Sequence, residues 1–316
     1  MSTKHVFDDA TGLVEKACLG VASTNPDLRF FAHHKVLYNA AHPRDKVAIL
    51  AGGGAGHEPA FSGLVGSGLV TVAVSGDVFA SPSSKQICSG VDLAPTDKGI
   101  VTIVLNYTGD CLNFGLASEK ARSAFHSEGK GRDIEMVNVG DDVSVGRSKG
   151  GLVGRRGLTG AAFTAKVLGA ASEKGDDVQN IAHLGRTMVK NFVTVGSSLD
   201  HCHVPGRSTD PKERGALSQS AVEIGMGIHN EPGAKHIENK PSGEDLIKEM
   251  LELLLREDDP ERSFVKFNKD DDPVLIINNL GGMSSIELGA IAAEARTQIE
   301  RDWNLRLSRV YCGTYV

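Results

Sequence analysis

Aromatic residues make up only 5% of the sequence and are scattered, so the chain holds no platform on which bases or large planar ligands would stack. A basic excess is missing too. Lys and Arg number 34 against 40 Asp and Glu, and the resulting net charge of −6 argues against a nucleic-acid surface. The five cysteines, Cys18, Cys88, Cys111, Cys202 and Cys312, are odd in number, widely spaced and never in C-x-x-C spacing. That pattern argues against a disulfide framework or a zinc knuckle and favours a reducing compartment. No stretch approaches about 18 uninterrupted apolar residues, so no membrane span is expected. Met1 to Lys16 carries acidic residues and no apolar core, unlike a signal peptide. These absences predict a soluble, cytoplasmic chain with neither nucleic-acid nor membrane partners.

What is present is glycine, 37 residues of it, in a chain of 316 residues that is 40% hydrophobic and long enough for two domains. Short apolar runs end at glycine or polar turns: Val47–Leu50, Val70–Val74, Ile100–Leu105, Met136–Val139 and Val274–Ile277. They read as buried strands. Helical spacing fills Phe114–Phe125, Leu158–Ala171, Asp177–Lys190 and Glu244–Arg256, the last with an apolar stripe of Leu246, Ile247, Met250, Leu253 and Leu254. Alternating strand and helix patterns predict an α/β fold of two α/β domains, residues 1–185 and 186–316, with the ligand site in glycine-rich turns at strand ends. Arg207–Gln219 is expected to be a surface loop. Leu307–Val316 reads as a strand that stops without a cap, where truncation is expected.

Three glycine-rich turns carry chemically capable residues. Ala51–Pro59 (AGGGAGHEP) packs four glycines into five positions, which lets backbone N–H groups crowd around a small polar ligand. It is neither a Walker loop nor the G-x-G-x-x-G dinucleotide spacing. On its own it fits a structural turn with a solvated His57 as well as it fits a binding loop. Asn106–Asn113 (NYTGDCLN) puts Asp110 just past a buried strand, where a general base or an N-cap would sit; of the two, capping is the commoner role. Gly225–Gly233 (GMGIHNEPG) holds His229 in a glycine-flanked turn that is poorly placed for core packing. Two weaker clusters are His201-Cys202-His203, expected to be loop rather than metal ligand, and Asp141–Asp142 with Arg147, Lys149, Arg155 and Arg156. The latter fits a phosphate clamp, or at least equally a hydrated, self-paired surface.

Taken in order, GGGAGHEP at 52–59, SGDVFASPS at 75–83, NYTGD at 106–110, DDVSVGR at 141–147, GRRGLTG at 154–160, GMGIHNEPG at 225–233 and NNLGGMSSIEL at 278–288 resemble the substrate-binding domain of dihydroxyacetone (glycerone) kinases. The resemblance is to the type found in fungal and animal single-chain kinases, where an ATP-binding helical domain follows. It implies that His229 attacks the ketone through Nε2 to form a hemiaminal, and that Asp110 and His57 serve as the acid/base pair. It further implies that Gly54, Ala55 and Gly56 contact the substrate, and that the assembly is a homodimer. ATP and Mg2+ would be held by a kinase domain in cis or in trans, and neither within this chain. The substrate implied is dihydroxyacetone or a similar short ketone or aldehyde such as glyceraldehyde. One departure stands out: family members carry a substrate-contacting lysine immediately before NYTGD, and here the residue is Leu105. Losing a charged donor of that kind is worth about 1.5–3 kcal/mol. The alternative is a catalytically weak module that senses or binds a small ketone.

Overall fold

The structure is a computed structural model that describes residues 3–129, 131–150 and 154–316, so part of the glycine-rich region 144–160 lies outside the described residues. The chain forms two compact units, each assembled from separated stretches of sequence. One comprises Asp9–Gly140 and Gly160–Lys190; the other comprises the N-terminal segment up to Asp8, Asp141–Thr159 and Asn191–Val316. Residue 185 lies inside a helix of the first of these units.

The first unit holds α1 (Leu13–Ser23), β1 (Leu28–Phe31), β2 (Val36–Asn39), β3 (Ala48–Ala55), β4 (Val72–Val78), α2 (Ser84–Leu93), β5 (Ile100–Leu105), α3 (Thr108–Glu128), β6 (Ile134–Val139), α4 (Gly160–Lys174) and α5 (Val178–Lys190). Its six strands form one sheet in the order β1-β2-β4-β3-β5-β6. The β4-β3-β5-β6 portion is parallel, and the β1–β2 edge is antiparallel. Four of the five expected apolar runs lie on β3, β4, β5 and β6 of this sheet, and β5 is buried along its whole length because helices cover both faces. The fifth, Val274–Ile277, belongs to the other unit and is only partly buried. Phe114 and Ile87, from α3 and α2, join Leu50, Val74, Val104 and Ile134 in one cluster. On alternate residues of β6, Val137 meets α5, where a Cβ on Gly185 would lie 2.9 Å from it. A Ser83–Gln86 capping box starts α2.

The second unit is less regular. It contains β7 (Ser197–Ser198), α6 (Pro211–Arg214), β8 (Val222–Ile224), β9 (Lys235–Ile237), α7 (Gly243–Leu255), β10 (Val274–Asn278), α8 (Ser285–Asp302) and β11 (Arg309–Gly313). The strands β7, β8 and β9 form a small antiparallel sheet, and β10 pairs in parallel with β11. The expected loop at 207–219 is interrupted by the single turn of α6, which opens on an Asp210 cap and Pro211. The mixed α/β architecture agrees with the fold class read from the sequence.

Two glycines test this packing with opposite signs. A Cβ on Gly52 would lie 2.3 Å from the Val74 carbonyl oxygen on the neighbouring strand, whereas one on Gly20, inside α1, would meet nothing within 4 Å. Gly52→Ala is expected to destabilise the protein by about 1–3 kcal/mol through overpacking. Gly20→Ala should stabilise it by about 0.5–1 kcal/mol through helix propensity. Urea midpoints for the two variants check both signs.

Candidate active site

In the six-stranded unit, the C-terminal ends of parallel strands β3, β4 and β5 bring His57, the 79–81 turn and Asp110 to one edge of the sheet, the usual ligand edge of such sheets. The glycine segment is mostly strand rather than loop: β3 continues to Ala55, and its pairing with β4 shifts register between Gly53 and Ala55. Its glycines therefore divide by role. Gly54 is pressed against backbone, since a Cβ there would lie 2.7 Å from the Ala80 nitrogen. Gly56 has φ 100° and passes under the Phe79 ring, which an added Cβ would meet at 2.6 Å. Ala55 packs into a core cluster with Val14 and Cys18. Gly53, not singled out in the sequence, faces the Asp110 carboxylate and the Phe61 ring: its Cβ position lies 3.9 Å from Oδ1 of the one and 3.9 Å from Cε2 of the other.

His57 is buried and stacks on Phe79, with ring centroids 5.2 Å apart and an interplanar angle of 23°. Phe79 holds this position from a left-handed backbone conformation, φ 56°, unusual for a bulky residue. Its amide donates to the Ala55 carbonyl at 2.8 Å, tying the turn to the strand that carries His57. Asp110 is 4% exposed and sits in the first turn of α3. The cap position belongs to Tyr107, so the capping role expected as the commoner one for Asp110 is not what the structure has. Helix α3 begins at Thr108, six residues before its apolar periodicity becomes visible, and that early start draws Asp110 into the helix. The positive end of the helix dipole then favours a carboxylate at this place. Leu105 is buried at the end of β5.

His229 belongs to the other unit, on the turn between β8 and β9. The turn is closed by amide donations from Gly227 to the Glu231 carbonyl at 3.0 Å and from Ala234 to the Ile224 carbonyl at 2.9 Å. Asn230, in the left-handed region at φ 62°, clasps the backbone of Cys202, accepting from its N–H at 2.9 Å and donating to its carbonyl at 3.0 Å. The residue that sequence reasoning missed is Glu231. Its Oε2 accepts from the His229 amide and its Oε1 lies against the His229 Nδ1, both at 2.9 Å. Burial by itself would raise the Glu231 pKa, but hydrogen bonds from the His229 side chain and amide, with the charge of the ring, hold it down to about 2. An ionised carboxylate at Nδ1 makes that nitrogen the protonated one and leaves the lone pair of the neutral ring on Nε2. The only sequence signal for Glu231 is its spacing, two residues after the histidine in a glycine-bounded turn.

The remaining clusters resolve into structure. Asp141 and Asp142 are fully buried and not part of a hydrated surface. Asp141 accepts from the Leu158 amide at 2.7 Å and the Thr194 hydroxyl at 2.6 Å, while Asp142 pairs with Arg156. Arg147 and Arg155 both lie over the Phe264 ring, at 4.4 and 4.3 Å. His203 bonds His5 at 2.8 Å through Nδ1 and the Arg207 and Ser208 carbonyls at 3.2 Å through Nε2, as expected of a loop residue. Among the described residues, no three His, Cys, Asp or Glu gather where a metal ion would sit, and no helix is long and apolar enough to cross a membrane.

A family model described as the Dak1 domain matches residues 19–316. The chain is 43% identical to a dihydroxyacetone kinase of Pichia angusta, the alignment covering 100% of the chain and 52% of that protein. Among solved structures, it resembles the dihydroxyacetone kinase from C. freundii in complex with AMP-PNP and Mg2+ at TM-score 0.81 and 30% identity, covering 95% of the chain and 53% of that kinase. It also resembles the dihydroxyacetone kinase operon co-activator Dha-DhaQ at TM-score 0.82 and 27% identity, over 95% of the chain and 87% of that protein. The chain thus spans about half the length of the curated relatives it matches.

The His229–Glu231 bond has a pH signature. A carboxyl held at about 2 in the folded protein against an ordinary 4.5 contributes stability that is complete above pH 4.5 and lost as pH falls towards 2. Glu231→Gln should flatten the acid-side fall of the unfolding midpoint in that window. Urea unfolding followed by circular dichroism at stepped pH compares the two proteins.

Proposed function

The chain belongs to the Dak1 domain family, and from that premise we propose that it is the ketone-holding part of an ATP-dependent dihydroxyacetone kinase. The observation that carries this reading is the His229–Glu231 pair: the carboxylate lies 2.9 Å from Nδ1, so a neutral ring would carry its proton there and its lone pair on Nε2. A neutral imidazole is a competent nucleophile towards a ketone near neutral pH. In the proposed step the Nε2 lone pair forms a bond to the carbonyl carbon. The carbonyl π pair moves onto oxygen, which takes up a proton, and the positive charge left on the ring is opposed by Glu231. The product is a hemiaminal on His229. Glycerol, with the same hydroxyls and no carbonyl, cannot follow this course.

Asp110 is proposed as the base that accepts the proton of the hydroxyl to be phosphorylated, with His57 sharing the acid/base role. Backbone groups of Gly54, Ala55 and Gly56, joined by Gly53, are proposed to line the substrate. Phosphoryl donation requires ATP and Mg2+, which supply the phosphoryl group and neutralise its charge. In this reading the nucleotide and its metal are held by a separate ATP-binding domain, in line with the likeness to a kinase solved with AMP-PNP and Mg2+. The dimeric assembly and cytoplasmic setting implied by the family belong to the same reading. A ketone-sensing role is favoured only by the likeness to an operon co-activator, and the higher identity to kinases outweighs it.

With dihydroxyacetone labelled at the carbonyl carbon, the protein should convert the ketone signal to that of a tetrahedral carbon, and His229→Ala should abolish the conversion. Persistence of the adduct in the His229→Ala protein would refute the nucleophile. Combined with an ATP-binding domain of the family, Asp110→Asn should keep the adduct while lowering kcat by roughly 10²–10⁴-fold. Equal rates for the two proteins would remove Asp110 from the mechanism. The chain without that domain is expected to show no phosphorylation of dihydroxyacetone by ATP.

A further inference from the structure

We propose that Arg156 is a positioning residue for His229, acting on the 225–231 turn and on Glu231; the role matters to catalysis only if His229 is the ketone nucleophile. Arg156 is only 14% exposed, and its pairing with Asp142, itself 1% exposed, is a buried ion pair. Were pairing its whole purpose, the guanidinium would be satisfied there. Instead it reaches further. Its Nε donates to Asp142 at 2.8 Å, while Nη2 donates to the Ser144 hydroxyl at 2.8 Å and to the Gly225 carbonyl at 2.7 Å. The Ser144 hydroxyl in turn donates to Asp142 at 2.6 Å. A planar guanidinium can hold such a set of acceptors at fixed angles, which a lysine ammonium cannot.

The remaining nitrogen points the same way. Nη1 lies 2.5 Å from the position a Cβ on Gly227 would take, and Glu231 Oε2 lies 2.0 Å from that same position. The cation and the carboxylate that holds His229 therefore flank one empty methyl position. Gly227 is needed there for space, since its backbone is not among the positive-φ glycines. The order of groups is Asp142, Arg156, Glu231, alternating in charge from the buried interior outward to the carboxylate that contacts the imidazole of His229. This arrangement anchors the start of the turn at Gly225 and presents a positive charge on the far side of Glu231, so that the carboxylate is kept aimed at Nδ1.

The test uses the whole chain with three variants. Gly227→Ala inserts a methyl between the two side chains and removes neither. Arg156→Lys keeps the charge beside Asp142 but cannot span Ser144 and Gly225. The double variant Asp142→Asn with Arg156→Gln removes both buried charges together, so neither is left unpaired and the fold is preserved. With 15N-labelled histidine and no substrate, wild type is expected to show His229 as a single Nδ1–H tautomer, and the variants a mixture. The apparent Kd for the dihydroxyacetone adduct should rise about tenfold or more, the scale of one charge-assisted hydrogen bond. A wild-type tautomer in folded Gly227→Ala and Arg156→Lys proteins overturns the proposal. If wild type forms no adduct while the variants still shift the tautomer, the positioning role stands and the ketone reading alone falls.

Discussion

The hydrogen bond between Glu231 and the Nδ1 of His229 is the constraint around which the turn from Gly225 to Gly233 is organised. An imidazole on a solvent-accessible turn would otherwise exchange tautomers and rotate, and much of its population would present an N–H where a lone pair is required. The bond is 2.9 Å long and is doubled by the His229 amide on the other oxygen, so the carboxylate grips both the ring and its own backbone. Holding a carboxylate there in turn needs a turn whose backbone does not drift. Asn230 clasps Cys202 on one side, Arg156 holds the Gly225 carbonyl on another, and Glu223 receives the Gly233 amide at the far end. Each anchor lies on a different stretch of chain, so the turn is braced from several directions at once.

The six-stranded unit meets a different constraint by different means. Here backbone must approach backbone, and glycine is the device. Gly52 under the Val74 carbonyl, Gly54 against Ala80 and Gly56 beneath Phe79 let β3 run close beside β4 and its following turn. The closeness places the His57 ring on Phe79, and it brings the end of β3 beside the start of α3. Asp110 then owes its setting to two features: the strand that delivers it to the sheet edge, and the helix whose first turn it occupies. Neither depends on a neighbouring charged side chain, and Leu105, at the end of the same strand, is a buried apolar residue.

Much of the first unit is legible from the sequence because its strands are buried on both faces and appear as plain apolar runs, as in Ile100–Leu105. The antiparallel strands β1 and β2 escape notice, being four residues each and mixed in polarity. Helices α2 and α8 lack a clean apolar stripe, yet Ser83-x-x-Gln86 and Ser284-x-x-Glu287 mark their starts and would have found them. The small sheet of β7, β8 and β9 has strands of two or three residues, too short for any period to show. Discontinuity of the units is invisible in one dimension. It rests on pairings such as Asp141 with Thr194, and nothing in the local sequence announces them.

The site divides along the same line. His57, Asp110 and His229 stand out in sequence because each lies within two residues of a glycine in a polar turn. Glu231, Gly53, Phe79 and Arg156 do not, because their work is done through a neighbour, and a supporting residue looks like any other charged or apolar residue until the fold supplies its partner. Arg156 shows the point most sharply. Beside Asp141, Asp142, Arg147 and Lys149 it reads as one charge in a solvated cluster, yet its carboxylate partner is buried and its other bonds go to a backbone carbonyl and a hydroxyl. A three-carbon ketone has little surface with which to organise a loose site around itself. The organisation must therefore exist before the ligand arrives, and a planar cation fixed between the interior and Glu231 is one physical means of having it there.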